Sequence, residues 1–366
     1  MQFSCAKHDL ERAAVIAERF TGKQHTLPVL GSVLLTADAR GLTLAATNLE
    51  HAAQLRVPAR VSREGRAAVP SKIFSSLLQS LGDTDIEAEG HGGNLVLRTD
   101  AREGRIRGVP ADDFPLIPKV KKTAGFSADA ARLAAGLSRV LPAVSLSEFK
   151  PELSGVFFRA GKDTVTLCAT DTFRLAEAVV PLAASAADAA PPFILPHRAA
   201  QELSRLLDGE TGTVSLALGD NQVAVEAGGG EIVSRLVEGA FPDYQAIIPG
   251  KFSTSLYFSR DEAIRGIRAA SIFASKLQEV TLQIGGKHMD IKAANADVGE
   301  YHTRHPAAHT GKDVSMSFNW RYVLDGLQAL EDDEIFFGCN EASSPAMLRN
   351  KSNAGFTYVV MPIRLT

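Results

Sequence analysis

The chain has 366 residues, 45% of them hydrophobic and 22% charged, with a formal charge of −3 at pH 7. It is too apolar to be a disordered polymer and too long for one ordinary core, so two or three packed domains are expected. No global basic field exists to hold a nucleic acid by charge alone, and any basic surface must be local.

Met1-Gln2-Phe3-Ser4-Cys5 reaches Lys7, His8 and Asp9 before an apolar run develops, which gives neither a secretory nor a transmembrane start. The ending Ile363-Arg364-Leu365-Thr366 carries no lipid-anchor signal. Cys5, Cys168 and Cys339 form no C-x-x-C pair and are odd in number, so reduced thiols in a cytoplasmic protein are expected.

Phe3-Ser4 leads into a helix predicted over 7–20, where Leu10, Ala13, Ala14, Ala17 and Phe20 recur at helical spacing. A strand over 43–48 follows, and then Pro70-Ser71-Lys72 opens a helix over 70–81 with Phe74, Leu77, Leu78 and Leu81 as its buried stripe. The short run at 94–98 reads as a strand, and Phe114-Pro115 closes the unit. The same marks then return. Phe126-Ser127 precedes a helix over 127–140, and the run at 166–171 answers that at 43–48, 123 residues on. Pro196-His197-Arg198 opens a helix over 196–208, a strand runs over 212–218, and Phe241-Pro242 closes the second unit. Phe258-Ser259 begins a third unit with a helix over 259–276, a strand at 281–284, a weaker copy at Ala293-Ala294-Asn295, and Asn319-Trp320-Arg321 before a helix over 319–331. The fold class is α+β: three similar domains, each with two helices and antiparallel sheets. Breaks near 121–125 and 249–252 set the expected domains at 1–122, 123–250 and 251–366.

The six helices carry 13 Lys and Arg against 10 Asp and Glu, so they are basic while the rest of the chain is acidic. Arg12 and Arg19, Arg132 and Arg139, and Arg198 and Arg205 are i, i+7 pairs that stack along one line of a helix, away from the apolar stripe. Arg265 and Arg268 likewise face away from Ile264 and Ile267. One such line is an ordinary solvated face; its repetition points to phosphates. Neither base-reading side chains nor stacking aromatics accompany it, so binding would be independent of sequence.

Catalytic patterns are weak. No phosphate loop, dinucleotide fingerprint or H-E-x-x-H occurs. His302, His305 and His309 form H-x-x-H-x-x-x-H without helical register and are expected to be exposed polar residues, with no metal bound. Ser147-Glu148-Phe149-Lys150 matches S-x-x-K without its companion elements, so a hydrolase built on Ser147 and Lys150 is a minor alternative. Gly228-Gly229-Gly230 reads as a turn.

Five ordered segments resemble one family across the whole chain, the bacterial β sliding clamps, processivity subunits of DNA polymerase III. They are Thr26-Leu27-Pro28-Val29-Leu30, Pro110-Ala111-Asp112-Asp113-Phe114-Pro115, Ala169-Thr170-Asp171-Thr172-Phe173-Arg174-Leu175, Phe241-Pro242-Asp243-Tyr244, and the terminal Tyr358-Val359-Val360-Met361-Pro362-Ile363-Arg364-Leu365. Phe173, where the family usually has His or Tyr, and Ala246, often Arg there, depart from the pattern.

The resemblance implies a ring-forming, head-to-tail homodimer without catalysis or cofactor, its helices turned inward around double-stranded DNA. DNA would be faced by Lys23, His25, Arg12, Arg19, Lys72, Arg132, Arg139, Arg198, Arg205, Arg265, Arg268 and Arg321. It also implies a cleft for short motifs of the polymerase alpha subunit, the clamp loader, other polymerases and repair proteins. By position this cleft would use Leu153, Thr170, Thr172, Phe173, Arg174, Leu175, Pro242, Ile247, Ser344, Val359, Val360, Met361, Pro362, Ile363 and Arg364. Ile73, Phe74, Ile106, Ile272 and Phe273 would lie at the dimer seam. A clamp-like scaffold that no longer encircles DNA is the other alternative.

Overall fold

The computed structural model describes residues 1–22, 27–82, 85–147, 149–183, 190–352 and 355–364. Lys23, His25 and Thr26, together with Glu148 of the S-x-x-K match and Leu365, lie outside the described residues.

The first repeat runs β1 (Gln2–Ala6), α1 (Lys7–Arg19), β2 (Ser32–Asp38), β3 (Gly41–Thr47), β4 (His51–Val57), β5 (Arg60–Arg63), β6 (Gly65–Pro70), α2 (Ser71–Ser80), β7 (Asp85–His91), β8 (Asn94–Arg98) and β9 (Glu103–Ile106). The second runs β10 (Ala124–Asp129), α3 (Ala130–Val140), β11 (Gly155–Ala160), β12 (Thr164–Thr170), β13 (Arg174–Pro181), β14 (Phe193–Pro196), α4 (His197–Leu207), β15 (Thr213–Leu218), β16 (Gln222–Ala227) and β17 (Gly230–Arg235). The third runs β18 (Thr254–Ser259), α5 (Arg260–Ser271), β19 (Glu279–Gly285), β20 (His288–Asn295), β21 (Gly299–Gly311), β22 (Val314–Asn319), α6 (Trp320–Gln328), β23 (Glu334–Cys339), β24 (Ala346–Asn350) and β25 (Phe356–Val360). Apart from the short β5, the three repeats have the same order of strands and helices.

The helices are shorter than their periodicity suggests, because strands run directly into them. Residues 127–129 pair with β15, so the helix expected from 127 starts at Ala130. Pro70 and Pro196 end strands, paired with Ser32 and Gly155, and do not open helices. The helix expected to reach 276 ends at Ser271, after which the Phe273 and Ala274 amides bond carbonyls three residues back and the coil tightens. Leu77, expected in the buried stripe of α2, is half-exposed.

The chain forms two compact units: Met1–Ala131 with Leu182–Ala190 and Glu202–Leu236, and Arg132–Pro181 with Pro191–Gln201 and Val237–Thr366. In the first, an eight-stranded antiparallel sheet has the order β10-β15-β16-β17-β4-β3-β2-β6, and a five-stranded sheet the order β5-β1-β7-β8-β9. α1 packs on α2 and buries Leu10, Ala13, Ala14 and Ala17. In the second, twelve strands follow the order β14-β11-β12-β13-β25-β24-β23-β18-β21-β20-β19-β22. Here α5 and α6 pack together, and Gly326 of α6 lies so close to the Tyr358 ring that a Cβ would fall 2.5 Å from it.

One pairing rule recurs. β4 of the first repeat takes β17, the last strand of the second, with His51 opposite Ser234 and Ala52 opposite Val233. β13 of the second takes β25, the last strand of the third, with Arg174 opposite Val360 and Leu175 opposite Val359. Each unit therefore joins strands of two repeats in one sheet. Cys5, Cys168 and Cys339 are buried free thiols.

Candidate functional site

The turn between β12 and β13 is built by its side chains. The Thr170 hydroxyl donates to the Arg174 carbonyl at 2.7 Å and accepts from the Thr172 amide at 3.1 Å, while Asp171 Oδ1 accepts from the Phe173 and Arg174 amides, both at 2.9 Å. These bonds hold Thr172 at φ 77°, a left-handed conformation costly for a β-branched residue. Between β3 and β4 the same bonds recur through Thr47 and Asn48, with Leu49 at φ 76°. The 123-residue repeat thus extends to individual hydrogen bonds. In the third copy Asn295 still accepts from the Asp297 amide, and Gly299 supplies a positive φ.

In the second unit this turn borders a cavity of about 250 Å³. Nine of the fifteen cleft candidates line it: Leu153, Thr170, Thr172, Arg174, Leu175, Pro242, Ile247, Val359 and Met361. Its apolar floor continues into a core cluster of Cys168, Leu175, Tyr244, Phe336, Met347 and Val359. Phe157 and Phe241 stack with centroids 4.7 Å apart, and Tyr244 meets both edge-on. The chain after β25 is tied to the turn by the Met361 amide, which donates to the Phe173 carbonyl at 2.8 Å.

Six candidates do not line this cavity. Side chains alternate along β25, so Val359 faces the cavity and Val360 the other side. Phe173 points into solvent, 59% exposed, and Ser344 is half-buried elsewhere. Pro362, Ile363 and Arg364 run past the cavity, the Ile363 amide donating to the Ser317 carbonyl at 2.7 Å. Three lining residues were missed: Lys150, Glu152 and Tyr244. Tyr244 stood in the F-P-D-Y segment, which was its signal; the other two had none beyond flanking Leu153.

The polar wall is fixed. Arg174 Nε donates to Asp171 Oδ2 at 2.9 Å and Nη1 to Asp325 Oδ2 at 2.5 Å, with the guanidinium 4.3 Å above the Tyr322 ring centre. Burial alone would push this guanidinium down, but Tyr358, Asp325 and Asp171 outweigh it and hold the pKa above its ordinary value. The Tyr244 hydroxyl donates to Glu177 at 2.5 Å, and burial followed by that bond raises its pKa.

Five of the basic helix candidates are paired with carboxylates. In the first unit Arg12 pairs with Glu210, and Glu202, itself buried, takes Arg19 at 3.5 Å and Arg205 at 2.7 Å. In the second, Arg139 pairs with Glu331 and is partly desolvated, which lowers its pKa, while Arg265 holds Glu262 at 2.5 Å. Arg321 lies over the Trp320 ring, and Lys72, Arg132, Arg198 and Arg268 are exposed. Such pairing shallows the positive potential without removing it.

Of the seam candidates, Ile73 and Ile272 are 57% and 67% exposed and Phe273 is half-buried against Tyr301, their centroids 6.0 Å apart. Phe74 and Ile106 are instead buried in the core of their own unit, because each lies on the inward side of α2 or β9.

His305 overturns the expectation of exposure. It is 8% exposed beneath α5, where a Cβ on Gly266 would lie 2.7 Å from its Nε2, and among the described residues that nitrogen has no hydrogen-bond partner. The strand alternates, so the ring that a polar sequence hides inside is covered by the helix. Burial depresses its pKa, Glu262 and Asp290 opposing and Arg265 assisting. His302 contacts Asp290 at 3.3 Å, but Arg304 occupies both Asp290 oxygens at 2.8 and 3.0 Å and, with His302, lowers that carboxyl to about 2. Among the described residues no cluster has metal-binding geometry, and no helix is long and apolar enough to cross a membrane.

Comparison with known proteins bears directly on this arrangement. Models of the DNA polymerase III beta subunit match the N-terminal domain at residues 1–118, the central domain at 129–243 and the C-terminal domain at 245–364. The beta sliding clamp of Synechocystis sp. is 33% identical, with both chains covered completely, and that of Synechococcus elongatus is 29% identical. The crystal structure of the DNA polymerase III beta subunit of Thermotoga maritima matches over all of both chains with a TM-score of 0.93 and 28% identity. A Pseudomonas aeruginosa sliding clamp bound to griselimycin matches with a TM-score of 0.94 and 25% identity. The chain belongs to the DNA polymerase III beta-subunit family, the beta sliding clamps: a fold of three similar domains that acts as a non-catalytic processivity clamp, with DNA and a polymerase as its partners.

Proposed function

We propose that two copies of this chain close head to tail into a ring around duplex DNA, and that the cavity of the second unit is the cleft where partners dock. The domain limits are 1–122, 123–250 and 251–366, and the setting is the cytoplasm. The partners are the polymerase alpha subunit, the clamp loader, other polymerases and repair proteins, each entering with a short apolar segment. The cavity carries this reading: its floor is apolar, its wall offers fixed polar groups, and Met361 supplies an adaptable side chain.

The ring is supported by the pairing rule. β4 and β13 each take the last strand of the following repeat. β21 is the third-repeat equivalent of β4 and β13, and β9 is the first-repeat equivalent of β17 and β25. Among the described residues β9 pairs only with β8, and β21 pairs over 299–306 only with β20. Uniting β21 with β9 of the partner subunit, twice, closes the ring and covers the free edge of both strands. Arg105 occupies the place of Val233 and Val359, and Glu300 that of Ala52 and Leu175, so the register sets Glu300 opposite Arg105 of the partner subunit. The exposed Ile73 and Ile272 fit the same seam. DNA inside would meet exposed cations whose neighbours are neutralised, a field that retains phosphates without fixing register.

Removing residues 361–366 tests the cleft. A fluorescent peptide with apolar anchors, taken from a polymerase alpha subunit, is expected to bind the full chain and not the truncated one, while sedimentation still shows a dimer. Equal binding by both would move the docking site elsewhere.

A further inference from the structure

We infer that Glu202 governs how freely the ring slides: buried on α4, it holds Arg19 of α1 and Arg205 of α4 back from the DNA phosphates and so keeps their contact with DNA shallow. The inference rests on the proposed ring around duplex DNA. Glu202 is 6% exposed and stands beside Leu203 and one turn before Leu206, all three on the buried side of the helix. Both of its oxygens are engaged, Oε2 with Arg19 Nη1 at 3.5 Å and Oε1 with Arg205 Nη1 at 2.7 Å.

A carboxylate on an apolar stripe contributes little to stability, because the cost of taking it out of water offsets what pairing returns. Its effect falls on the two guanidinium groups instead. The Arg19 and Arg205 side chains are 40% and 49% exposed, so phosphates can reach them, yet the three groups together carry a single net positive charge. A phosphate can draw either arginine forward only by leaving a buried carboxylate less well neutralised, which limits the depth of the contact. The other carboxylates paired with helix arginines impose less of this cost. Glu210, Glu262 and Glu331 have side-chain exposures of 19%, 50% and 66%, against 7% for Glu202, so water takes up more of the charge that a departing arginine uncovers. Glu202 acts through the two arginines and is a positioning residue.

The test follows the loaded, full-length dimer along duplex DNA by single-molecule tracking and records its one-dimensional diffusion coefficient. Wild type is expected to change little between about 50 and about 200 mM salt. In Glu202→Gln about one further phosphate contact forms per chain, and diffusion is expected to slow on the order of tenfold at the lower salt, an effect that fades at the higher. Glu202→Asp keeps the charge and is expected to stay closer to wild type than to Glu202→Gln. Glu202→Met, with an apolar side chain suited to the stripe, is a second neutral variant should the first fold poorly. Asp220→Asn, the same change of net charge on the β15–β16 turn, is the control that keeps wild-type diffusion. Adding Arg19→Gln and Arg205→Gln to Glu202→Gln is expected to restore fast sliding. Neutral variants that both diffuse like wild type at low salt, or a slowing that survives removal of the two arginines, would overturn the role of Glu202. Wild type that leaves circular DNA as readily as linear DNA would instead remove the ring, and the inference with it.

Discussion

His305 shows how a residue that reads as surface becomes part of a core. Its strand alternates, its neighbours Thr303 and Ala307 share its face, and Gly266 leaves room above it for an imidazole. The ring is buried, and burial holds its native pKa below the ordinary 6.5. The unfolded chain then binds the proton more readily than the native one. The stability this neutral ring allows is complete above the ordinary value and declines as pH falls through it towards the native pKa. Urea midpoints measured at about pH 7.5 and about pH 5.5 are expected to fall on acidification, and His305→Gln to flatten part of that fall. An unchanged pH slope in His305→Gln would show that the ring protonates freely where it sits. The sequence displayed the three histidines but not the helix lying over one of them, because burial here comes from a neighbour 39 residues away. Lys150, which the sequence offered only in the S-x-x-K match, and Glu152 were not expected at the cavity for the same kind of reason: a rim position has no period of its own.

At the scale of elements, the apolar periods located all six helices, and the repeat spacing located the strands before them. The ends were less legible, since a strand that continues into a helix carries no loop residues to mark the change. Closeness of packing was also hidden. Gly326 reads as a weak point in a helix, yet it is where α6 comes down on the Tyr358 ring, whose hydroxyl donates to the Tyr322 carbonyl at 2.8 Å. Gly326→Ala would improve helix propensity and still is expected to destabilise the second unit by about 1–3 kcal/mol, because the new methyl has no space against an immobile ring. Urea unfolding reads this directly. A variant as stable as wild type would mean that α6 can lift from the sheet without loss. The six cleft candidates that fall outside the cavity belong to this scale too: a match by position places residues on the right strand and turn, while alternation along β25 turns Val360 away, Phe173 points into solvent, and Pro362, Ile363 and Arg364 run on past it.

For the whole molecule, the threefold repeat was plain in the sequence, but the way repeats join was not. The β4–β17 and β13–β25 pairings link segments whose patterns are simply those of buried strands. They are the basis on which the third pairing, between subunits, is proposed. Arg105→Glu is expected to separate the dimer at concentrations where wild type remains paired, and adding Glu300→Arg to restore it, by sedimentation velocity. A double variant no better than the single one would place another strand at the seam. In the proposed ring closure matters, because the paired arginines would leave its helices only mildly attractive to DNA, too weakly for tight binding by charge. Retention by the proposed ring would then come from topology. The decisive measurement is the lifetime of the loaded protein on nicked circular DNA and on the same DNA after linearisation. The account predicts long retention on the circle and rapid loss from the linear form; equal retention on both would mean ordinary surface binding and contradict a ring.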